Sequence, residues 1–202
     1  MRGLLVLLVV AGWLVAASPA ASPQTFSDDE RRRLAAGEVV VTDALPPGAS
    51  ATARGGTAFA IVRASPDEVW RVITDYPGNV RYYPRVVAVE VVENTGRQVV
   101  VRYEVAAGPF SFNVYLDKFP DPQRRRIEWN LAEGRDHGMF RENSGYWQVD
   151  PRERTSLVTY AIAVRTVLPA FVTLGAERDS LLETVTSLRK LVEEGGGAPE
   201  PQ

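Results

Sequence analysis

Residues 98–119 read QVVVRYEVAAGPFSFNVYLDKF, and their alternation decides the fold class. Val99, Val101, Tyr103 and Val105 share one side of an extended chain, opposite Arg102 and Glu104. After the Ala107-Gly108-Pro109 turn, Phe110, Phe112, Val114 and Leu116 oppose Ser111, Asn113 and Asp117. Two amphipathic strands joined this tightly are antiparallel neighbours, because a parallel return needs a crossover of a dozen residues or more.

The same pattern continues on both sides. Val86–Glu93, Arg125–Glu133, Arg141–Pro151 and Ser156–Thr166 are further strand-like segments, and Gly56–Arg63 adds one upstream, giving about seven in the main sheet. Asn94-Thr95-Gly96, Pro120-Asp121-Pro122 and Asp150-Pro151-Arg152 carry the turn chemistry that joins them. Ile127, Trp129 and Leu131 extend the apolar face, as do Trp147 and Val149, and then Val158, Tyr160, Ile162 and Val164. A long helix is expected from Pro169 to about Glu194, where Phe171, Leu174, Leu181, Val185, Leu188 and Val192 recur at spacings of three, four or seven. Its stripe needs an apolar surface, and the strand face is the one large surface available. The expected architecture is therefore α+β, a curved antiparallel sheet wrapped around a long C-terminal α-helix.

Upstream, Ser65-Pro66-Asp67-Glu68 supplies an N-cap, a proline at the first helical position and acids at the positive helix end. The helix should run to about Tyr76, burying Val69, Trp70, Ile73 and Tyr76, until Pro77-Gly78 stops it and Asn79–Pro84 adds another turn. Ser27-Asp28-Asp29-Glu30 forms a capping box for a helix to about Ala36, Glu38–Thr42 reads as an edge strand, and Leu45–Ser50 is a turn-rich connector.

Arg2, the apolar run Gly3–Ala17 and the small residues Ala16, Ala17, Ser18, Ala20 and Ala21 have the build of a secretory signal peptide, cut near Ala17 or Ala20. The run is shorter than the ~20 residues of a stable membrane span, so no span is expected after cleavage. The chain is then periplasmic or secreted. The expected organisation is a signal peptide over 1–20, an N-terminal helix, edge strand and connector over 21–53, one domain over 54–194 and a frayed tail over 195–202. With no cysteine in the chain, no disulfide can hold the exported product and stability rests on the core. Without Arg2 the balance is 22 basic against 25 acidic side chains, and Arg124–Arg126 have acids nearby, so no nucleic-acid footprint is present.

Ala64-Ser65-Pro66-Asp67-Glu68-Val69-Trp70, followed by Thr74-Asp75-Tyr76 and Tyr83-Pro84-Arg85-Val86, within this order of elements, resembles the START-like helix-grip superfamily. More narrowly it looks like the branch of polyketide cyclase/dehydrase and coenzyme Q-binding proteins, over roughly Gly56 to Val192. The resemblance implies a cavity between sheet and C-terminal helix that takes an apolar or amphipathic small molecule. Such families hold lipid carriers, quinone-binding proteins, aromatic cyclases and hormone receptors, so the fold names no ligand. The candidate lining residues are Tyr103, Phe112, Trp129, Trp147 and Tyr160 from the sheet, whose alternative is to fill the core, with Phe171, Leu174, Gly175 and Arg178 from the helix. Gly175 costs a helix interior about 0.5–1 kcal/mol relative to alanine, which suggests that it makes room. Arg178 falls in the apolar stripe, where it either meets a ligand or snorkels to the surface.

No catalytic residue is nominated. His137, the one histidine, sits in Gly134-Arg135-Asp136-His137-Gly138 and reads as an exposed loop residue. One histidine and no cysteine leave no clustered nitrogen or sulfur metal site, no glycine-rich phosphate cradle is present, and no cofactor is implied. Three functions remain. A binding protein for a lipid, quinone or similar molecule comes first. A cyclase/dehydratase enzyme would need Glu104, Tyr115, Asp117 or Glu128 to converge inside, and the alternation puts all four outside. An interaction protein with a filled core and an unknown protein partner is the third.

Overall fold

The computed structural model describes residues 25–167 and 176–195. The expectations for the signal segment, for the helix start at Pro169, for Phe171, Leu174 and Gly175, and for the tail beyond Gly195 lie outside the described residues.

Both short helices begin as their cap residues dictate. α1 (Asp28–Ala35) follows Ser27 and α2 (Pro66–Thr74) follows Ser65; in each the serine Oγ accepts from the N3 amide while the N3 glutamate accepts from the serine N–H. A 3₁₀ turn over Pro77–Arg81 continues from α2.

Eight strands follow the alternation: β1 (Val40–Thr42), β2 (Arg54–Val62), β3 (Val86–Asn94), β4 (Val99–Ala107), β5 (Phe110–Asp121), β6 (Arg126–Leu131), β7 (Phe140–Pro151) and β8 (Ser156–Thr166). They form one curved, unclosed antiparallel sheet in the order β1-β2-β8-β7-β6-β5-β4-β3. β1 belongs to this sheet, pairing Val40 with Phe59 and Thr42 with Thr57, so the short N-terminal strand becomes an eighth member beside the seven of the main run. Register shifts in β3, between Val86 and Ala88 and between Val91 and Glu93, bend that edge.

α3 (Ala176–Glu193) lies in the concave side, with Leu181, Val185, Leu188 and Val192 buried in the main core. It approaches β2 where Gly56 leaves space: a Cβ there would stand 3.3 Å from Leu181 Cδ1 and 2.3 Å from the Thr42 carbonyl oxygen. At its far end the Glu193 carboxylate accepts from the Arg63 amide (2.9 Å) and guanidinium (3.0 Å), tying α3 to the end of β2.

A second, smaller core covers the convex side. Phe26, Leu34, Val40, Phe59 and Leu157 pack there, with the Phe26 and Phe59 rings edge to face at 5.0 Å. β2 is thus covered on both faces, which is why Thr57–Ala60 are buried without alternation. Among the described residues no helix is long and apolar enough to cross a membrane.

Candidate functional site

The alternation that turns Val114 and Leu116 inward carries on to Lys118, which β5 places between Val99 of β4 and Trp129 of β6. Its side chain is interior, 2% exposed. Nζ lies 4.8 Å from the Trp129 ring centroid, 5.3 Å from that of Tyr103 and 5.7 Å from that of Tyr76, within the range of cation–π attraction. Among the described residues no carboxylate pairs with it. Burial pushes its pKa down from 10.5 to about 7, since removing an ammonium from water penalises the charged form.

The walls of this box are fixed by hydrogen bonds. Tyr103 Oη donates to Asn79 Oδ1 (2.7 Å), and Asn79 Nδ2 donates to the Asp75 carbonyl (3.0 Å) and to Tyr82 Oη (2.7 Å). Trp129 Nε1 donates to Asn143 Oδ1 (3.0 Å). Buried amides with satisfied partners hold ring orientations that apolar packing alone would leave softer. The buried Tyr76 hydroxyl is the exception, for it has no partner. Burial raises its pKa to about 12, so it keeps its proton and stands as an unused donor.

Behind the box, Trp147 stacks on Tyr160 at 4.2 Å and donates from Nε1 to Tyr83 Oη (2.8 Å), while Trp129 stacks on the other side of the cluster, 5.8 Å from Tyr160. The Trp129 ring fits across β7 because Gly145 has no side chain: a Cβ there would lie 2.6 Å from Trp129 Cζ2 and 2.1 Å from the Ala161 carbonyl oxygen. Gly145→Ala should therefore destabilise the domain by about 1–3 kcal/mol, the usual range for an overpacked core. Chemical denaturation checks it, and a variant as stable as the parent would mean that the Trp129 ring does not cross β7 as described.

Of the residues expected to line the cavity, Tyr103, Trp129, Trp147 and Tyr160 converge on the inner face and all are buried. Phe112 is half-buried at the β6–β7 connection, where a Cβ on Gly138 would stand 3.2 Å from its Cδ1. Arg178 takes the snorkelling alternative: its side chain is 58% exposed, donates to the Val41 carbonyl (3.2 Å) and lies 3.6 Å from Asp43 Oδ1. Glu104 and Glu128 face outward, paired with Ser111 and Arg126. His137 differs from the exposed loop residue expected. It is half-buried, its Nδ1 accepting from the Tyr115 amide (3.3 Å), so that Nε2 carries the proton donated to the Ala132 carbonyl (2.8 Å). Both nitrogens are used to pin the β6–β7 loop onto β5.

Lys118 and Asn79, which organise the site, stand outside the residues expected to line it. The parity of β5 contained the signal for Lys118, whereas Asn79 sits in a turn with no periodicity to read. Among the described residues no group of three or more His, Cys, Asp or Glu side chains could hold a metal ion.

Residues 56–193 match the family model described as "Polyketide cyclase / dehydrase and lipid transport". Three solved structures share the fold. The chain is 24% identical to TTHA0849 from Thermus thermophilus, covering 68% of this chain and 93% of that one with a TM-score of 0.57. It is 20% identical to the Zhui aromatase/cyclase from Streptomyces sp. R1128, covering 72% and 97% with a TM-score of 0.56. It is 16% identical to a STAR-related lipid transfer protein from Xanthomonas axonopodis, covering 76% and 92% with a TM-score of 0.59. At these identities the likeness establishes the fold and leaves the ligand open. No curated protein sequence matches the chain.

Proposed function

The chain belongs to the polyketide cyclase / dehydrase and lipid transport family, and from that premise we propose that it binds an apolar or amphipathic small molecule between the inner face of the sheet and α3, with Lys118 at the polar end of the site. The observation that carries this reading is a buried amine, boxed by three aromatic rings, that no acid neutralises among the described residues. A core needed only for folding gains nothing from such a group, because leucine or methionine would fill the volume without the desolvation penalty. Aromatic walls with a single polar feature are what an apolar ligand with one polar end requires.

We further propose that the protein acts outside the cytoplasm, after removal of the N-terminal apolar segment, as a carrier rather than a catalyst. The acids and phenols a cyclase mechanism would draw on, Glu104, Tyr115, Asp117 and Glu128, lie on the outward side of their strands by the alternation.

Native mass spectrometry of the protein purified from its own host's envelope, with an organic extract analysed in parallel, tests both statements. A stoichiometric apolar adduct on a chain shortened by about twenty residues is the expected result. A ligand-free mass in repeated preparations would favour the filled-core interaction protein, and an uncut chain in the cytoplasmic fraction would refute export.

A further inference from the structure

Resting on the inner-face binding reading, we propose that the ligand is an apolar acid, whose anionic oxygen is held by Lys118 Nζ and the Tyr76 hydroxyl together. Both groups are donors without acceptors among the described residues, and the Tyr76 ring stands 5.7 Å from Nζ. The other polar groups named around the box are already committed. Tyr103 and Tyr82 share Asn79, Trp129 holds Asn143, and the Asp75 carboxylate turns away to Arg81 (2.8 Å). Among the described residues no carboxylate reaches the amine from α2, the 3₁₀ turn, β4, β6 or β7, so the missing counter-charge has to arrive with the ligand.

The identity of the basic residue supports an acid. The chain holds two lysines, Lys118 and Lys190, against 21 arginines, so lysine is not this sequence's ordinary cation. An arginine could not shed its proton when the site is empty, whereas an amine can release its proton to water, leave a neutral interior, and take the proton back as the carboxylate enters. A neutral ester, ketone or alcohol could accept one hydrogen bond from the neutral amine but supplies no charge to draw the proton back, and a cationic ligand would be repelled by the protonated form.

The test uses cis-parinaric acid and its methyl ester as fluorescent probes on the full mature protein at pH 7. The acid should bind about 10- to 100-fold more tightly than the ester, the range for hydrogen bonds to a charged partner. Lys118→Met should reduce acid binding about 10- to 100-fold and change ester binding far less, so that the preference for the acid is lost, and Tyr76→Phe should give a smaller loss in the same direction. A second readout needs no substitution. With ¹³Cε-lysine the chain gives two signals, and the Lys118 titration should move from about 7 to higher pH when the acid is bound but not when the ester is, with Lys190 as the internal standard.

Equal binding of acid and ester, or full acid affinity in Lys118→Met, would overturn the acid anchor while leaving apolar binding intact. If neither probe binds, the native mass decides. A neutral adduct from the host overturns the acid alone, and a ligand-free mass overturns the binding reading with it.

Discussion

Replacing Lys118 with methionine is expected to stabilise the protein at neutral pH by several kcal/mol and to abolish a rise in stability with alkali that the parent shows. In the parent the amine titrates near 7 when folded and near its ordinary 10.5 when unfolded. Below pH 7 both states hold the proton, and the folded state carries the full penalty of a buried ammonium. Between pH 7 and 10.5 the unfolded chain keeps the proton that the folded one has released, so stability climbs with pH. At about 1.36 kcal/mol for each pH unit of that window, the climb reaches about 5 kcal/mol. Above 10.5 the amine is neutral in both states and no further gain follows. Methionine has similar volume and no charge, so the variant should exceed the parent most at and below pH 7 and converge on it near pH 10.5. Urea denaturation from about pH 6 to 10 measures this. Parallel curves for the two proteins would show that the amine is compensated in the folded state, and would remove the physical basis for calling it a ligand anchor. The expected outcome is a more stable protein that no longer prefers the acid over its ester, the usual relation between an unsatisfied functional group and the fold that carries it.

Trp147→Ala should act in the opposite direction with comparable size. The indole is 1% exposed, stacked on Tyr160 at 4.2 Å, edge to face with Tyr82 at 6.2 Å, and bonded to Tyr83 Oη. Removing it opens a void flanked by three tyrosines and takes away the indole N–H that donates to the Tyr83 hydroxyl. Large-to-small changes of this kind cost about 3–5 kcal/mol, much of the roughly 5–15 kcal/mol that holds a typical domain together. For a chain of this length the midpoint of thermal unfolding should fall by roughly 6–20 °C. A loss under about 1 kcal/mol would mean that the tryptophan is a movable pocket wall and not part of the folding core. Tyr83→Phe separates the contributions, since it deletes the hydroxyl and keeps the ring.

Periodicity made the architecture readable, and its interruptions mark where reading stopped. β8 runs from Ser156 to Thr166 as its alternation predicts, and both capping boxes form as Ser27 with Glu30 and Ser65 with Glu68 imply. In β3, expected only as a strand over Val86–Glu93, two register shifts break the period of two. Four of the inward aromatic residues were legible because large rings at alternate positions have one stable place to go. Lys118 was not, although it obeys the same parity, because a charge near the end of a strand reads as the point where the chain meets water. Arg178 shows the reverse. Helical spacing fixes where its Cβ points, but a long stem lets the guanidinium reach Val41 on another element. His137 was legible as a loop residue only, since its two main-chain partners come from β5 and from Ala132, a pairing no local pattern encodes.

The open sheet ends at β1, and an open edge can template the addition of a strand from another chain. Here the edge is three residues long, and the Arg178 guanidinium occupies the main-chain oxygen of its central residue. Arg178 thereby ties α3 to the rim of the sheet and already occupies a main-chain acceptor that an added strand would need.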